Sequence, residues 1–233
     1  MKKFLLRCIH FIQRLIAPET VWEFQVADYF RQFGFAASFQ TKESIDLDGH
    51  PIPWYTYPAI EFLREFDFSS MRVFEFGTGN STFWWAERAN SVEAVEHNRE
   101  WYEKWKSRYP GNVKVHFHSN KNNYTTALTG QYDIIVIDGD WRDLCAETAL
   151  NHISNDGIII LDDAQRVQHF DEYKTALKLL RNDPRFLQID FYGFTPIATH
   201  TKITTLFIAR TGIFHYQSEY VPEYGIGNLR NEQ

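Results

Sequence analysis

Cysteine is scarce in this chain. Cys8 and Cys145 are the only two in 233 residues, and they stand far apart, without metal-ligand spacing. That excludes a zinc framework and makes a reducing compartment the expectation. Basic charge is short as well: 24 Lys and Arg face 30 Asp and Glu, a formal net charge of -6. A general nucleic-acid binder carries a basic surface excess, and no basic stripe with interleaved aromatics occurs here. No apolar run reaches the ~18 residues that a membrane-spanning helix needs. Internal repeats and low-complexity tracts are missing. The expectation is a cytoplasmic protein without nucleic-acid partners. Hydrophobic residues make up 44%, enough to bury one sizeable core.

Glycine matters here by position rather than number. Residues 72 to 82 read RVFEFGTGNST. Val73, Phe74 and Phe76 suit a buried parallel strand, and a helical pattern begins at Phe83, so Gly77 and Gly79 stand at a strand-to-helix turn. Glycine lets the backbone approach a ligand closely there. A dinucleotide fingerprint reads G-x-G-x-x-G. Thr82 occupies the third glycine's place, and that match fails.

Three further segments bear on the same edge. SVEAVEHN, residues 91 to 98, reads as a second strand ending in Glu96, 19 positions after Gly77. In open nucleotide-binding sheets an acid about 20 residues beyond the glycine turn accepts hydrogen bonds from ribose hydroxyls, and one carboxylate can accept both. His97 beside it is expected as a neighbour of a nucleoside rather than a catalyst. YDIIVIDGDWR, residues 132 to 142, is an apolar run ending in Asp138 and Asp140, and DGIIILDDAQR, residues 156 to 166, ends in Asp162 and Asp163. Ligands of doubly wound sheets collect beyond the carboxyl ends of strands. Four aspartates therefore converge on one edge, as an acid-base or metal site.

The E-x-G-x-G pattern of Glu75, Gly77 and Gly79, with Ser81 in place of a last glycine, resembles the class I S-adenosylmethionine-dependent methyltransferases. The resemblance spans about residues 58 to 210. It implies an α/β Rossmann-like fold with a seven-stranded, mostly parallel sheet whose terminal strand is antiparallel. It also implies S-adenosylmethionine as cofactor and methyl transfer as the reaction. Gly77, Thr78, Gly79, Asn80, Ser81 and Thr82 would hold the methionine portion and ribose, Glu75 would orient the loop or the amino group, Glu96 would hold the ribose, and His97 and Ser119 would border the adenosine. Asp138 would lie near the transferred methyl. Asp140, then Asp138, are the candidate bases. A narrower similarity, carried by IDGD and LDD, is to the macrocin-type sugar O-methyltransferases, in which aspartates at these places bind Mg2+. Asp138, Asp162 and Asp163 would be the ligands. Trp141 and Arg142 replace the Tyr and Ser that follow D-G-D in that family, and Arg142 and Arg166 offer another way to neutralise the carboxylates. The acceptor implied is an oxygen of a sugar, a glycan precursor or a secondary metabolite.

The periodicity predicts helices over 82–89, 98–108, 122–128, 142–152 and 168–181. They alternate with strands over 91–96, 113–117, 133–137 and 157–161. Two strands, 187–192 and 204–210, follow without an intervening helix. Residues 1–57 are expected as a helical cap, 58–212 as the cofactor-binding domain and 213–233 as a tail. Lys3, Arg7, His10 and Arg14 share one side of a basic amphipathic helix over 2–16, suited to packing on the domain, a homo-oligomer contact or an anionic membrane surface. His169 and Tyr173 are candidate acceptor-pocket groups, and Trp54, Tyr55 and Tyr57 are candidates to border the site. Two other functions stay open: a nicotinamide-dependent oxidoreductase, disfavoured by Thr82 and the final strand pair, and a non-catalytic, membrane-associated cofactor-binding module.

Overall fold

The computed structural model describes residues 26–28, 30–212 and 215. The expected amphipathic helix over 2–16 and nearly all of the tail lie outside them. Before the sheet come α1 (Phe35–Thr41) and α2 (Tyr57–Arg64). Then β1 (Arg72–Phe76), α3 (Asn80–Ala86), β2 (Ser91–Glu96), α4 (Arg99–Trp105), β3 (Val113–Phe117), α5 (Lys121–Thr125), β4 (Tyr132–Ile137) and α6 (Arg142–His152) alternate. β5 (Ile153–Leu161), a short 3-10 helix (Ala164–Gln168), α7 (Asp171–Asn182), β6 (Phe186–Gly193) and β7 (Lys202–Ala209) complete the order.

The strands form one sheet in the order β3-β2-β1-β4-β5-β7-β6. The first five run parallel, and β7 is antiparallel to both neighbours, with Leu161 opposite Thr205. Chain order reverses between β1 and β4, which creates the crevice where such sheets take ligands. Alternation along the strands builds two cores. Val73, Ile134, Val136, Ile158 and Ile160 face α2 and α3 with Trp84 and Trp85. Phe74, Phe76, Ile135, Ile137 and Ile159 face α6 and α7 with Ala146, Ala149 and Leu180. Full burial of one large apolar side chain contributes about 1.5–3 kcal/mol, so the central strands anchor whatever their ends present.

The segment before α2 crosses the carboxyl edge of the sheet and is tied there by the backbone. Thr56 N–H donates to Thr204 Oγ1 (2.9 Å), Tyr57 N–H to Phe194 O (2.9 Å) and Asn80 Nδ2 to Ser44 O (2.6 Å). Tyr55 and Tyr57 are drawn into the core. Trp54 stays 43% exposed at the edge, of the three aromatics expected near the site.

Candidate functional site

The carboxyl ends of β1, β2, β4 and β5 open on a cleft of about 380 Å³, within the range of small-molecule and cofactor sites. Glu75, Gly77, Thr78 and Ser81 line it from the glycine turn, Glu96 and His97 from the end of β2. Asp138 and Asp140 line it from the end of β4, Asp162 and Asp163 from the end of β5. Gly79 and Asn80 line a smaller adjoining cavity that shares Thr78, Ser81 and Asp138 with the cleft. Thr82 is buried behind the turn, its Oγ1 accepting from Gly79 N–H at 3.1 Å. Ser119 is not brought to this group: it is exposed and lines neither cavity, while its neighbour Asn120 caps α5 by accepting from Asn123 N–H (2.9 Å). Of the two acceptor-pocket candidates, Tyr173 lines the cleft and His169 does not.

The glycine turn is held between its neighbours. Gly77 N–H donates to Val95 O (2.9 Å), and Asp138 N–H donates to Phe76 O (3.0 Å). Gly77 has φ +106, and a Cβ there would stand 3.3 Å from the Asp138 carbonyl carbon. The turn thus meets the β4 end backbone to backbone, which only glycine allows without strain.

Glu96 is 4% exposed and fully engaged on one side. Its Oε1 accepts from the backbone N–H groups of His97 (2.9 Å) and Asn98 (2.8 Å), and its Oε2 accepts from Thr78 Oγ1 (2.9 Å). Glu75, 1% exposed, lies under the turn, and its Oε2 has no partner among the described residues. Burial pushes its carboxyl up to about 8, against the lowering effect of the Thr82 and Ser81 hydroxyls. Because the folded chain keeps a proton that the unfolded chain has lost, stability falls as pH rises from the ordinary carboxylate value toward about 8, then levels. Glu75→Gln should therefore melt higher than the wild type at about pH 8.5, by up to a few kcal/mol at ~1.4 per pKa unit, with the gap closing toward about pH 5. A thermal-melt series with a constant gap would contradict a buried neutral Glu75.

The acidic corner is threaded with cations. Arg142, 4% exposed, donates through Nε to Gly139 O (2.9 Å), through Nη1 to the carbonyls of Ile137 (3.1 Å) and Asp162, and through Nη2 to Asp138 Oδ1 (3.2 Å). Lys202 Nζ stands 2.8 Å from Asp163 Oδ1, and Arg166 Nη2 stands 3.1 Å from Asp163 Oδ2. Thr204 Oγ1 donates to Asp162 Oδ1 (2.6 Å). Burial pushes Asp138 up while Arg142 draws it down. Burial, then the neighbouring Asp138 and Asp163, push Asp162 well above the carboxylate range. Burial acts on Asp163 too, but the Lys202 ammonium beside it holds it below its ordinary value. At the rim, Asp140 Oδ2 meets His97 Nε2 at 3.2 Å. Trp141 (φ 53) and Asp163 (φ 57) are both left-handed. Such backbone costs on the order of 1–3 kcal/mol and gathers at functional sites; here it turns the chain so that the aspartates reach the cleft.

Asp138, Asp162 and Asp163 fit poorly the open oxygen set that Mg2+ takes, because Arg142 holds one oxygen of Asp138, the Thr204 hydroxyl one oxygen of Asp162, and Lys202 and Arg166 both oxygens of Asp163. Among the described residues, the side chains whose ligand atoms gather within 4.8 Å of one another are Asp46, Asp48 and His50, none of which lines the cleft. The sequence reading missed Lys202, Thr204 and Trp101, whose Nε1 donates to Thr78 O at 2.6 Å. Their signal was positional: β7 begins at the carboxyl edge of β5, and α4 follows directly on Glu96.

Residues 74–164 match a family model described as a methyltransferase domain. Cofactor-bound Rv0187 from MTB is 18% identical over 80% of this chain and 89% of that one, with a TM-score of 0.55. TomG, an O-methyltransferase from Streptomyces achromogenes involved in tomaymycin synthesis and solved with SAM, is 15% identical over 78% and 88% (TM-score 0.54). The O-methyltransferase from Bacillus cereus, solved with SAH, is 16% identical over 66% and 78% (TM-score 0.53). At such identities the likeness is one of fold. Among curated proteins none matches the chain. With its strand order and terminal antiparallel pair, the chain has the Rossmann-like fold of these methyltransferase structures, and residues 74–164 of it match a methyltransferase domain.

Proposed function

We propose that this enzyme methylates an oxygen of a small-molecule acceptor, a sugar or glycan precursor or a secondary metabolite. The observation that carries the reading is one cleft with two kinds of acid: Glu96 and Glu75 around the glycine turn, and the aspartates across from them.

The residues present suit the cofactor. Glu96 is fixed by three donors, and Oε2, which holds only the Thr78 hydroxyl among the described residues, keeps a lone pair for a ribose hydroxyl. The unpartnered Oε2 of Glu75 is a buried acceptor awaiting a cation, and the α-amino group of the methionine portion is one. When bound, S-adenosylmethionine supplies an electrophilic sulfonium methyl, and S-adenosylhomocysteine remains after transfer. The chain's part is positioning, which supplies much of the acceleration in such displacements, together with removal of a hydroxyl proton. Asp140, oriented by His97 and 61% exposed at the rim, is the first group placed to take that proton, and Asp138 on the floor is the second. Gly77 keeps the turn against the β4 end, so cofactor side and acceptor side share one wall.

The test is transfer of label from methyl-tritiated S-adenosylmethionine into pooled polyhydroxylated acceptors. Labelled ether product with stoichiometric S-adenosylhomocysteine is expected, and Asp140→Asn should slow turnover about 100-fold, the lower range for a general base. Label found only on nitrogen acceptors would contradict oxygen transfer, and undiminished turnover would remove Asp140 as the base.

A further inference from the structure

We propose that the Lys202 ammonium does the work here that a divalent ion would do: it neutralises the strand-end carboxylates and binds the acceptor through an oxygen, a hydroxyl or an oxyanion. The inference rests on the methyl-transfer reading of the cleft. Topology puts Lys202 in place. Since Leu161 of β5 faces Thr205 of the antiparallel β7, Lys202 starts its strand beyond the end of β5, beside Asp162 and Asp163. Its side chain is buried, and an ammonium so placed needs a paired anion. Asp163 is that anion, its Oδ1 2.8 Å from Nζ and its Oδ2 kept in place by Arg166. Trp54, arriving from the segment before α2, covers another side, with Nζ 4.7 Å from the ring centroid. An ammonium has three donors and no acceptor. Asp163 takes one and the indole face a second direction, and Lys202 lines the cleft with a donor left to offer.

Charge balance points the same way. Asp138 is paired with Arg142, Asp163 with Lys202 and Arg166, and Asp162 with the Thr204 hydroxyl. Three cations already answer three carboxylates. A further double charge would meet like charges at close range, where repulsion is weakly screened. An acceptor oxygen, by contrast, finds a ready donor.

The experiment uses chelator-treated full-length protein titrated with Mn2+ by electron paramagnetic resonance, and with S-adenosylmethionine by calorimetry. The wild type is expected to show no saturable Mn2+ site that Asp163→Asn removes. Lys202→Ala should gain one, at least tenfold tighter than any wild-type binding, and Lys202→Ala combined with Asp163→Asn should lose it again. Acetate, as oxyanion probe, should change the tryptophan emission of the wild type saturably and leave Lys202→Ala unresponsive. A saturable wild-type Mn2+ site lost in Asp163→Asn, no gain in Lys202→Ala, or an acetate response that survives Lys202→Ala would each overturn the proposal. S-adenosylmethionine binding reads separately: its absence from the wild type strikes the methyltransfer reading itself, and its retention in Lys202→Ala shows that the variant is folded.

Discussion

Glu96→Gln is expected to bind S-adenosylmethionine about 100-fold more weakly than the wild type. A hydrogen bond to a charged group contributes about 1.5–3 kcal/mol, and each ~1.4 kcal/mol is a factor of ten in affinity. The amide keeps the shape of the side chain but loses its charge, and one of its two ends becomes a donor. That donor must face either the His97 and Asn98 N–H groups or the Thr78 hydroxyl and ligand side, where acceptors are now required. Some folding stability, about 1–2 kcal/mol, goes with the misplaced donor. Calorimetric titration at a temperature well below the melting point separates the two effects. Affinity within threefold of the wild type would show that Glu96 serves only to shape the turn.

Arg142→Met is expected to have the largest effect on stability. The guanidinium joins three carbonyls, at the ends of β4 and β5 and in the turn between β4 and α6, to the Asp138 carboxylate. It also lies 4.6 Å from the Tyr173 ring centroid. Burial opposes its charge, yet Asp138 above all, with other acids nearby, holds it charged. Removing one partner of a buried ion pair costs about 3–5 kcal/mol, a drop on the order of 10 °C in a chain of this size. Arg142→Lys should not restore it, because a point charge cannot serve four acceptors set in a fork. Denaturation midpoints measure the loss, and a loss under about 1 kcal/mol would contradict the central place given to Arg142.

Much of the scaffold was legible because its signals are local. β2, β3 and α6 occupy the residues that periodicity assigned, since short apolar runs between polar turns leave little choice of register. β5 departs from expectation by starting at Ile153 rather than 157. It continues straight from α6 through a bulge where Tyr132 pairs with Ile153 and Ile134 with Ile158. Gly157 makes this feasible, because a Cβ there would stand 2.7 Å from Asp133 O. Expected helix 82–89 starts instead at Asn80, since Thr82 turns back to hold Gly79 N–H.

The cleft was half legible. Acids at the ends of strands announce themselves, because an apolar run that stops at Asp or Glu has few readings. Lys202 does not, since it opens a strand expected at 204, and only the antiparallel direction of β7 carries it to the ligand edge. Trp101 sits in an ordinary helical pattern, and its bond to Thr78 O depends on how α4 packs over the turn. Ser119 was expected from the methyltransferase resemblance, which places an adenine contact after the third strand. β3, however, is the outermost strand, two places from β1, and its exit leads into the α5 cap rather than back toward the crevice.

This cleft is proposed to bind S-adenosylmethionine through the glycine turn, Glu96 and Glu75. The most direct measurement is calorimetric titration of the full chain with S-adenosylmethionine and, separately, NADH, in buffers of different ionisation enthalpy near pH 7. Saturable one-to-one binding of S-adenosylmethionine is expected, with proton release as the ligand's ammonium draws the proton from Glu75, whose carboxyl burial has pushed up to about 8. NADH should not bind. Saturable NADH binding, or none with S-adenosylmethionine, would contradict the account.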